Sequence, residues 1–119
     1  MTRDLSERER AVLLALVERG SDPGGPPVPA SARARWRDQV ATARAGASCG
    51  CGTCPSIELT DAQGRTPGED GPRVVLSGEV PGALVHLFVD EDRLSYLELW
   101  SLDDVAFTEF PPATELSFS

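Results

Sequence analysis

The sequence predicts a two-layer α+β fold, with two N-terminal helices packed on an antiparallel sheet of about four strands. Two patterns carry this prediction. Apolar residues repeat at helical spacing in the first part of the chain, and from Ile57 onward they alternate with the period of two that is typical of strands. The 119 residues match one domain, which we divide into helices within 6–46, a cysteine-rich loop over 47–55 and a sheet over 56–119.

The first helix is predicted from Ser6 to Arg19. Ser6 and Glu9 have the spacing of a capping box, in which each side chain serves the other residue's backbone amide. Gly20 is predicted to end this helix in a left-handed conformation. The segment 21–29 contains four prolines and two glycines and is predicted to be a linker.

The second helix is predicted from about Ser31 to Gly46. Its residues Trp36, Val40 and Ala43 recur at the spacing that places apolar side chains on one helix face.

Strands are predicted at 57–59 and 73–80, and as a hairpin whose arms are 83–89 and 94–100, with a further edge strand over 113–119. With the hairpin turn centred on Glu91 and Asp92, Val89 faces Leu94 and His86 faces Leu97. Both faces of this hairpin are then apolar. We therefore expect loops, a crossing helix or a second subunit to cover the second face, and the last alternative predicts a homodimer.

The formal net charge of −8 and the isoelectric point near 4.5 argue against nucleic-acid binding. The charge is uneven, because residues 1–54 hold eight arginines against six carboxylates and residues 55–119 hold three against thirteen. A basic protein partner for the acidic half is one interpretation, and a basic helical half packed on an acidic sheet half is the other. The charged N-terminus and the absence of any apolar run of roughly 20 residues predict a cytoplasmic protein, off the membrane, with reduced thiols.

All three cysteines, Cys49, Cys51 and Cys54, lie within six residues. Overlapping Cys-x-Cys and Cys-x-x-Cys spacings in a glycine-rich loop can turn several thiolates toward one soft cation, Zn²⁺ or Cu⁺. Zn²⁺ needs a fourth ligand, and the only histidine, His86, is the candidate. A second cysteine or histidine pair, as in zinc ribbons, is missing.

Two other interpretations of the loop stay open. The Cys51–Cys54 spacing allows a redox disulfide, but a loop that follows a helix C-terminus lacks the positive dipole that activates a thiolate. Alternatively, the loop is a close-packed turn in which cysteine serves as a small apolar residue. His86 then has a structural role on an apolar strand.

The sequence contains no hydrolase, phosphate-loop, dinucleotide or His-Glu-x-x-His motif, so we predict a protein that is not an enzyme. It resembles a group of small uncharacterised actinobacterial proteins through its Leu-Ser-x-x-Glu start, Trp-Arg-Asp-Gln-Val (36–40), the Cys-Gly-Cys loop closing in Pro-Ser-Ile (55–57), Leu-x-x-Leu-Glu-Leu (94–99) and the late Pro-Pro. The resemblance implies a single bacterial α+β domain and no particular activity. Our first functional hypothesis is a metal-binding accessory protein, followed by an immunity- or inhibitor-like binding module and then a thiol-redox switch.

Overall fold

The chain, seen in a computed structural model, is described over residues 2–51, 54–68 and 70–118. The α+β class is confirmed. The elements of the described residues are, in chain order, β1 (Arg3–Asp4), α1 (Glu7–Arg19), α2 (Ala30–Val40), β2 (Arg44–Ser48), β3 (Ile57–Thr60), β4 (Arg73–Val80), β5 (Ala83–Asp90), β6 (Arg93–Ser101) and a 3-10 turn (Ala113–Glu115).

The sheet has six antiparallel strands in the order β1-β2-β3-β6-β5-β4, so the prediction of about four strands was too low. The two strands that the sequence did not reveal are β1 and β2, which pair through Arg3 and Ala45. The sheet therefore extends beyond the range 56–119 that was predicted for it. Ala45, Gly46 and Ala47 carry no strand preference of their own, and β2 forms because it pairs with β3.

Helix α1 confirms the predicted capping box. Ser6 Oγ accepts a 3.1 Å hydrogen bond from the Glu9 amide, and the Ser6 amide donates to Glu9 Oε1 at 2.8 Å. The prediction of a left-handed Gly20 was wrong, because its φ is −64°. Arg33 of α2 donates instead to the carbonyls of Val17 and Gly20, which satisfies acceptors that the helix end leaves unpaired.

Helix α2 ends at Val40 and not at Gly46. The carbonyl of Gln39 accepts from the amides of Thr42 and Ala43, so the chain turns away there and reaches the sheet as β2. Trp36 and Val40 are buried, as their spacing predicted.

Both helices cover one face of the sheet and enclose the core. This core is built from apolar residues of α1, α2 and the strands, among them Val12, Leu13, Leu16, Val17, Trp36, Leu76, Val85, Leu87, Leu97 and Leu99. We call the opposite side of the sheet the outer face.

The register of the β5–β6 hairpin differs from the predicted one. Val89 faces Leu94 as expected, but a bulge then shifts the pairing, so that His86 faces Glu98 and not Leu97. The bulge lies at Ser95, whose hydroxyl donates to the Phe88 carbonyl at 3.0 Å and lies 2.6 Å from Asp90 Oδ2.

The bulge decides what the outer face presents. It turns Leu97 and Leu99 toward the helices and places Tyr96, Glu98 and Trp100 on the outer face. The interpretation that both hairpin faces are apolar is therefore wrong, since the outer face mixes aromatic and charged side chains.

The predicted edge strand over 113–119 is replaced by the 3-10 turn and one isolated bridge. Ser117 and Glu79 of β4 exchange backbone hydrogen bonds of 2.8 and 2.9 Å. Residue 119, the end of that predicted strand, lies outside the described residues. Among the described residues, no helix has the length and apolar character needed to cross a bilayer.

Candidate metal centre

The cysteine-rich loop is the connection between two adjacent antiparallel strands, β2 and β3. The expectation that it follows a helix C-terminus was wrong, so the negative end of a helix dipole does not bear on its thiols. Its base is closed by a 3.0 Å hydrogen bond from the Cys49 amide to the Ser56 carbonyl. Gly50 has a φ of +82°, a conformation that glycine adopts without strain.

Ser56 fixes the loop to the neighbouring strand β6. Its side chain is buried, and its Oγ accepts a 2.9 Å hydrogen bond from the Leu99 amide. A buried contact of this kind holds the end of the loop against β6.

The three cysteines converge, as the sequence predicted. Their Sγ atoms all lie within 4.8 Å of one another, and those of Cys51 and Cys54 are 3.2 Å apart. Cys49 and Cys51 are exposed, and Cys54 is half-buried. Gly52 and Thr53, the spacers of the predicted redox motif, lie outside the described residues.

This spacing is close to what a tetrahedral ion requires. A Zn–S bond of about 2.3 Å and tetrahedral angles place two sulfurs about 3.8 Å apart. Sulfurs that already lie within 4.8 Å of one another therefore need to move by only about 1 Å to share one ion.

The thiols form hydrogen bonds with one another. The hydrogen bond with the Cys54 side chain raises the pKa of Cys49, and the opposing backbone hydrogen bond with Cys51 does not offset it. Because a metal binds the thiolate, it must displace the Cys49 proton. The same raised pKa makes Cys49 a poor attacking thiol. The predicted lack of redox activation concerns Cys51 and Cys54 and stays a prediction.

The loop lies over the outer face and forms one side of an open groove of about 350 Å³. Cys49 and Cys54 line this groove together with Tyr96, Glu98 and Trp100 of β6. Burial raises the pKa of Tyr96 to about 12, and the negative charge of Cys49, Cys54 and Glu98 adds to the effect. The phenol also shares a hydrogen bond with Cys49, which ties the loop to β6.

His86 lies on β5, one strand beyond this groove. Its Nδ1 is 2.9 Å from Glu98 Oε1, and its ring stacks on Phe88 with the centroids 6.4 Å apart. Among the described residues, the group of converging candidate ligands contains the three cysteines and not His86. The sheet order explains this, because β6 lies between β5 and β3, the strand that ends the loop.

Tyr96 and Glu98 are the residues of this centre that sequence reasoning missed. The predicted register placed Tyr96 on the same hairpin face as Val85 and Leu87, whereas the observed register places it on the opposite face. A different signal was available, because Leu97 and Leu99 alternate with Tyr96, Glu98 and Trp100, whose polar or amphipathic side chains fit an exposed face.

Comparison with other proteins adds no function to this geometry. The resemblance to small actinobacterial proteins stays a prediction, and it implies no ligand or activity. Searches of protein-family models, curated proteins and solved structures found no match to this chain.

Proposed function

We propose that this chain is a non-enzymatic accessory protein that binds a soft metal ion, Zn²⁺ or Cu⁺, through Cys49, Cys51 and Cys54. The convergence of the three sulfurs within 4.8 Å carries this proposal. Thiolates are the ligands that both ions favour, and clustered thiols on one short loop are the arrangement that binds them.

The exposure of the loop supports an accessory role over a purely structural one. Cys49 and Cys51 are open to solvent, so an ion held there can be delivered and removed without opening the core.

Native mass spectrometry of protein purified without chelator tests the proposal, with and without prior alkylation of the thiols. We expect one bound metal ion, which alkylation abolishes. Replacing each cysteine with serine should weaken binding, whereas Trp100→Ala, which alters the same groove but removes no ligand atom, should not. Metal-free protein that alkylates fully and stays folded would contradict the proposal.

A second candidate function is a non-catalytic protein-binding module. Three large apolar side chains are strongly exposed near the C-terminal end of β6, namely Trp100 (59%), Leu102 (56%) and Val105 (51%). Asp103 and Asp104 lie between the last two, which suits a partner that offers both apolar and basic groups. A homodimer is a further proposal, and sedimentation of the protein over a range of concentrations distinguishes self-association from a monomer.

A thiol-redox switch is the third candidate, favoured by the 3.2 Å contact between Cys51 and Cys54. Exchange with an external disulfide would join these two sulfurs, and that disulfide would be reduced to two thiols that carry away the two hydrogens. The same mass spectra detect this change as a mass lower by two hydrogens that reductant restores.

A further inference from the structure

Three thiolates leave a zinc ion one ligand short. Zinc sites in proteins are almost always four-coordinate, with ligands drawn from cysteine, histidine and carboxylate side chains. The fourth ligand must therefore come from whichever such group faces the loop across the groove, or from water.

Glu98 is the group that the sheet places there. Ile57 pairs with Leu97, and Glu58 pairs with Tyr96. The same antiparallel register, extended by one residue, sets Glu98 opposite Ser56, where the loop ends. Neighbouring strands lie about 4.8 Å apart. Glu98 accordingly lines the same groove as Cys49 and Cys54.

His86 holds the Glu98 carboxylate from the side away from the loop. The 2.9 Å contact between His86 Nδ1 and Glu98 Oε1 uses one carboxylate oxygen, and a carboxylate has a second. His86 is mostly buried, with 15% of its side chain exposed against 34% for Glu98, so the imidazole is the fixed member of the pair. Hydrogen bonds of this kind orient metal ligands.

From this arrangement we infer that Glu98 is the fourth ligand of a Cys₃Glu zinc centre and that His86 is its positioning residue. The inference rests on the proposed function and makes it more specific. In the structure the carboxylate lies outside the thiol group, so its side-chain torsion angles change when it binds.

The fourth ligand also decides between the two metals. A carboxylate oxygen is a hard ligand that suits Zn²⁺ and offers little to Cu⁺, which the soft thiolates already satisfy. Glu98 therefore stabilises the zinc form specifically.

The test is competition of the intact protein against a chromophoric chelator, with Zn²⁺ and with Cu⁺ in turn. We expect His86→Leu to weaken Zn²⁺ binding by about tenfold, within the range seen when outer partners of metal ligands are removed. Glu98→Gln, which removes the ligand itself, should weaken it more. Cu⁺ binding should be unchanged in both variants. His86→Gln, which keeps a hydrogen-bond donor, should restore part of the loss.

Cobalt(II) provides a readout that a structural role would not change. Its visible absorption reports coordination geometry, and we expect a tetrahedral spectrum in the wild type that Glu98→Gln alters. Glu79→Gln is the matched control, because Glu79 lies on the outer face on β4, two strands from β6.

The outcomes separate this inference from the proposed function. If Glu98→Gln leaves both the Zn²⁺ affinity and the Co²⁺ spectrum unchanged, Glu98 is not a ligand and a site of three thiolates remains. If Glu98→Gln weakens Zn²⁺ and Cu⁺ binding equally, the inference is also contradicted, because the substitution has then damaged the loop in general. A wild-type protein that binds neither ion overturns the proposed function itself.

Discussion

Trp36 Nε1 donates a 2.8 Å hydrogen bond to Asp92 Oδ1 and so joins α2 to the turn between β5 and β6. Arg35 pairs with the same carboxylate at 2.8 Å, and Gln39 Nε2 donates to the Asp92 carbonyl at 2.9 Å. Asp92 has a φ of 66°, in the left-handed region that aspartate and asparagine tolerate best among residues other than glycine. One turn residue thus positions the second helix on the sheet.

We expect Asp92→Ala to lower the free energy of unfolding by about 2 kcal/mol, because it leaves the indole N–H of buried Trp36 without its acceptor. Asp92→Asn keeps an acceptor and the turn conformation and loses only the exposed pair with Arg35. Its cost should be about 0.5 kcal/mol. Urea denaturation measures both values, and equal losses would show that the ion pair is what matters.

Asp90 predicts how stability depends on pH. Its side chain is 1% exposed, and it contacts Arg73 Nε at 2.7 Å and Ser95 Oγ at 2.6 Å. Burial pushes the pKa of Asp90 up, but the hydrogen bonds from Arg73 and Ser95 outweigh it, and the pKa is lowered in the folded state. A carboxyl group whose pKa is lower in the folded than in the unfolded state stabilises the fold at pH values above its unfolded-state pKa. This stabilisation is lost as the pH falls through the folded-state pKa.

Asp90→Asn should therefore lower the free energy of unfolding by about 2 kcal/mol at neutral pH. It breaks an ion pair in which Asp90 is buried and Arg73 is partly exposed. The difference from wild type should shrink as the pH falls below about 4. Denaturation at a series of pH values measures it, with the exposed Asp103→Asn as control. A difference that stays constant into acid would contradict the lowered pKa.

The sequence predicted elements whose signals are local. Ser6 and Glu9 specify the start of α1, and the apolar alternation of 83–89 and 94–100 specifies a hairpin. It did not predict β2, since Ala45 and Gly46 become a strand only through pairing with β3. Nor did it predict the hairpin register, which depends on Ser95 reaching Asp90 across the turn.

In the candidate site, too, the features with local signals were predicted and those that depend on distant contacts were not. The convergence of Cys49, Cys51 and Cys54 was predictable because six residues of one loop contain them all. Glu98 was missed because the predicted register lacks the bulge at Ser95, and a shift of one residue in the register moves a side chain to the other face. Contacts between distant segments thus decide which residues surround the cysteines.

Tyr96 allows the position of the loop to be checked directly, since it is the only tyrosine of the chain. We expect the phenolate absorbance to titrate near pH 12 in the folded protein. Removing Cys49 and Cys54 as alanines should lower the midpoint, because their negative charge opposes ionisation of the phenol. The midpoint should stay above the ordinary value, since burial is the largest cause.

Cys51→Ala is the matched control for this titration, as Cys51 is not among the groups that raise the pKa of Tyr96. It should move the midpoint less than the double variant does. Circular dichroism at each pH verifies that the protein is folded. A wild-type midpoint near 10 would show that Tyr96 is less buried than in the structure, and equal midpoints in the wild type and the double variant would show that the loop lies farther from β6.

Removal of the metal should leave the fold intact. The buried apolar core of the described residues contains no residue from 49–55, and two of the three thiols are exposed. A bound ion then stabilises the protein only through its affinity, by about 2.7 kcal/mol at a free concentration of one hundred times its dissociation constant. Excess chelator should therefore lower the melting temperature and leave the far-ultraviolet circular dichroism unchanged.

The variant with all three cysteines replaced by serine should fold and show no response to chelator. Unfolding of the wild type by chelator at room temperature would instead make the ion part of the folding free energy, as in zinc fingers.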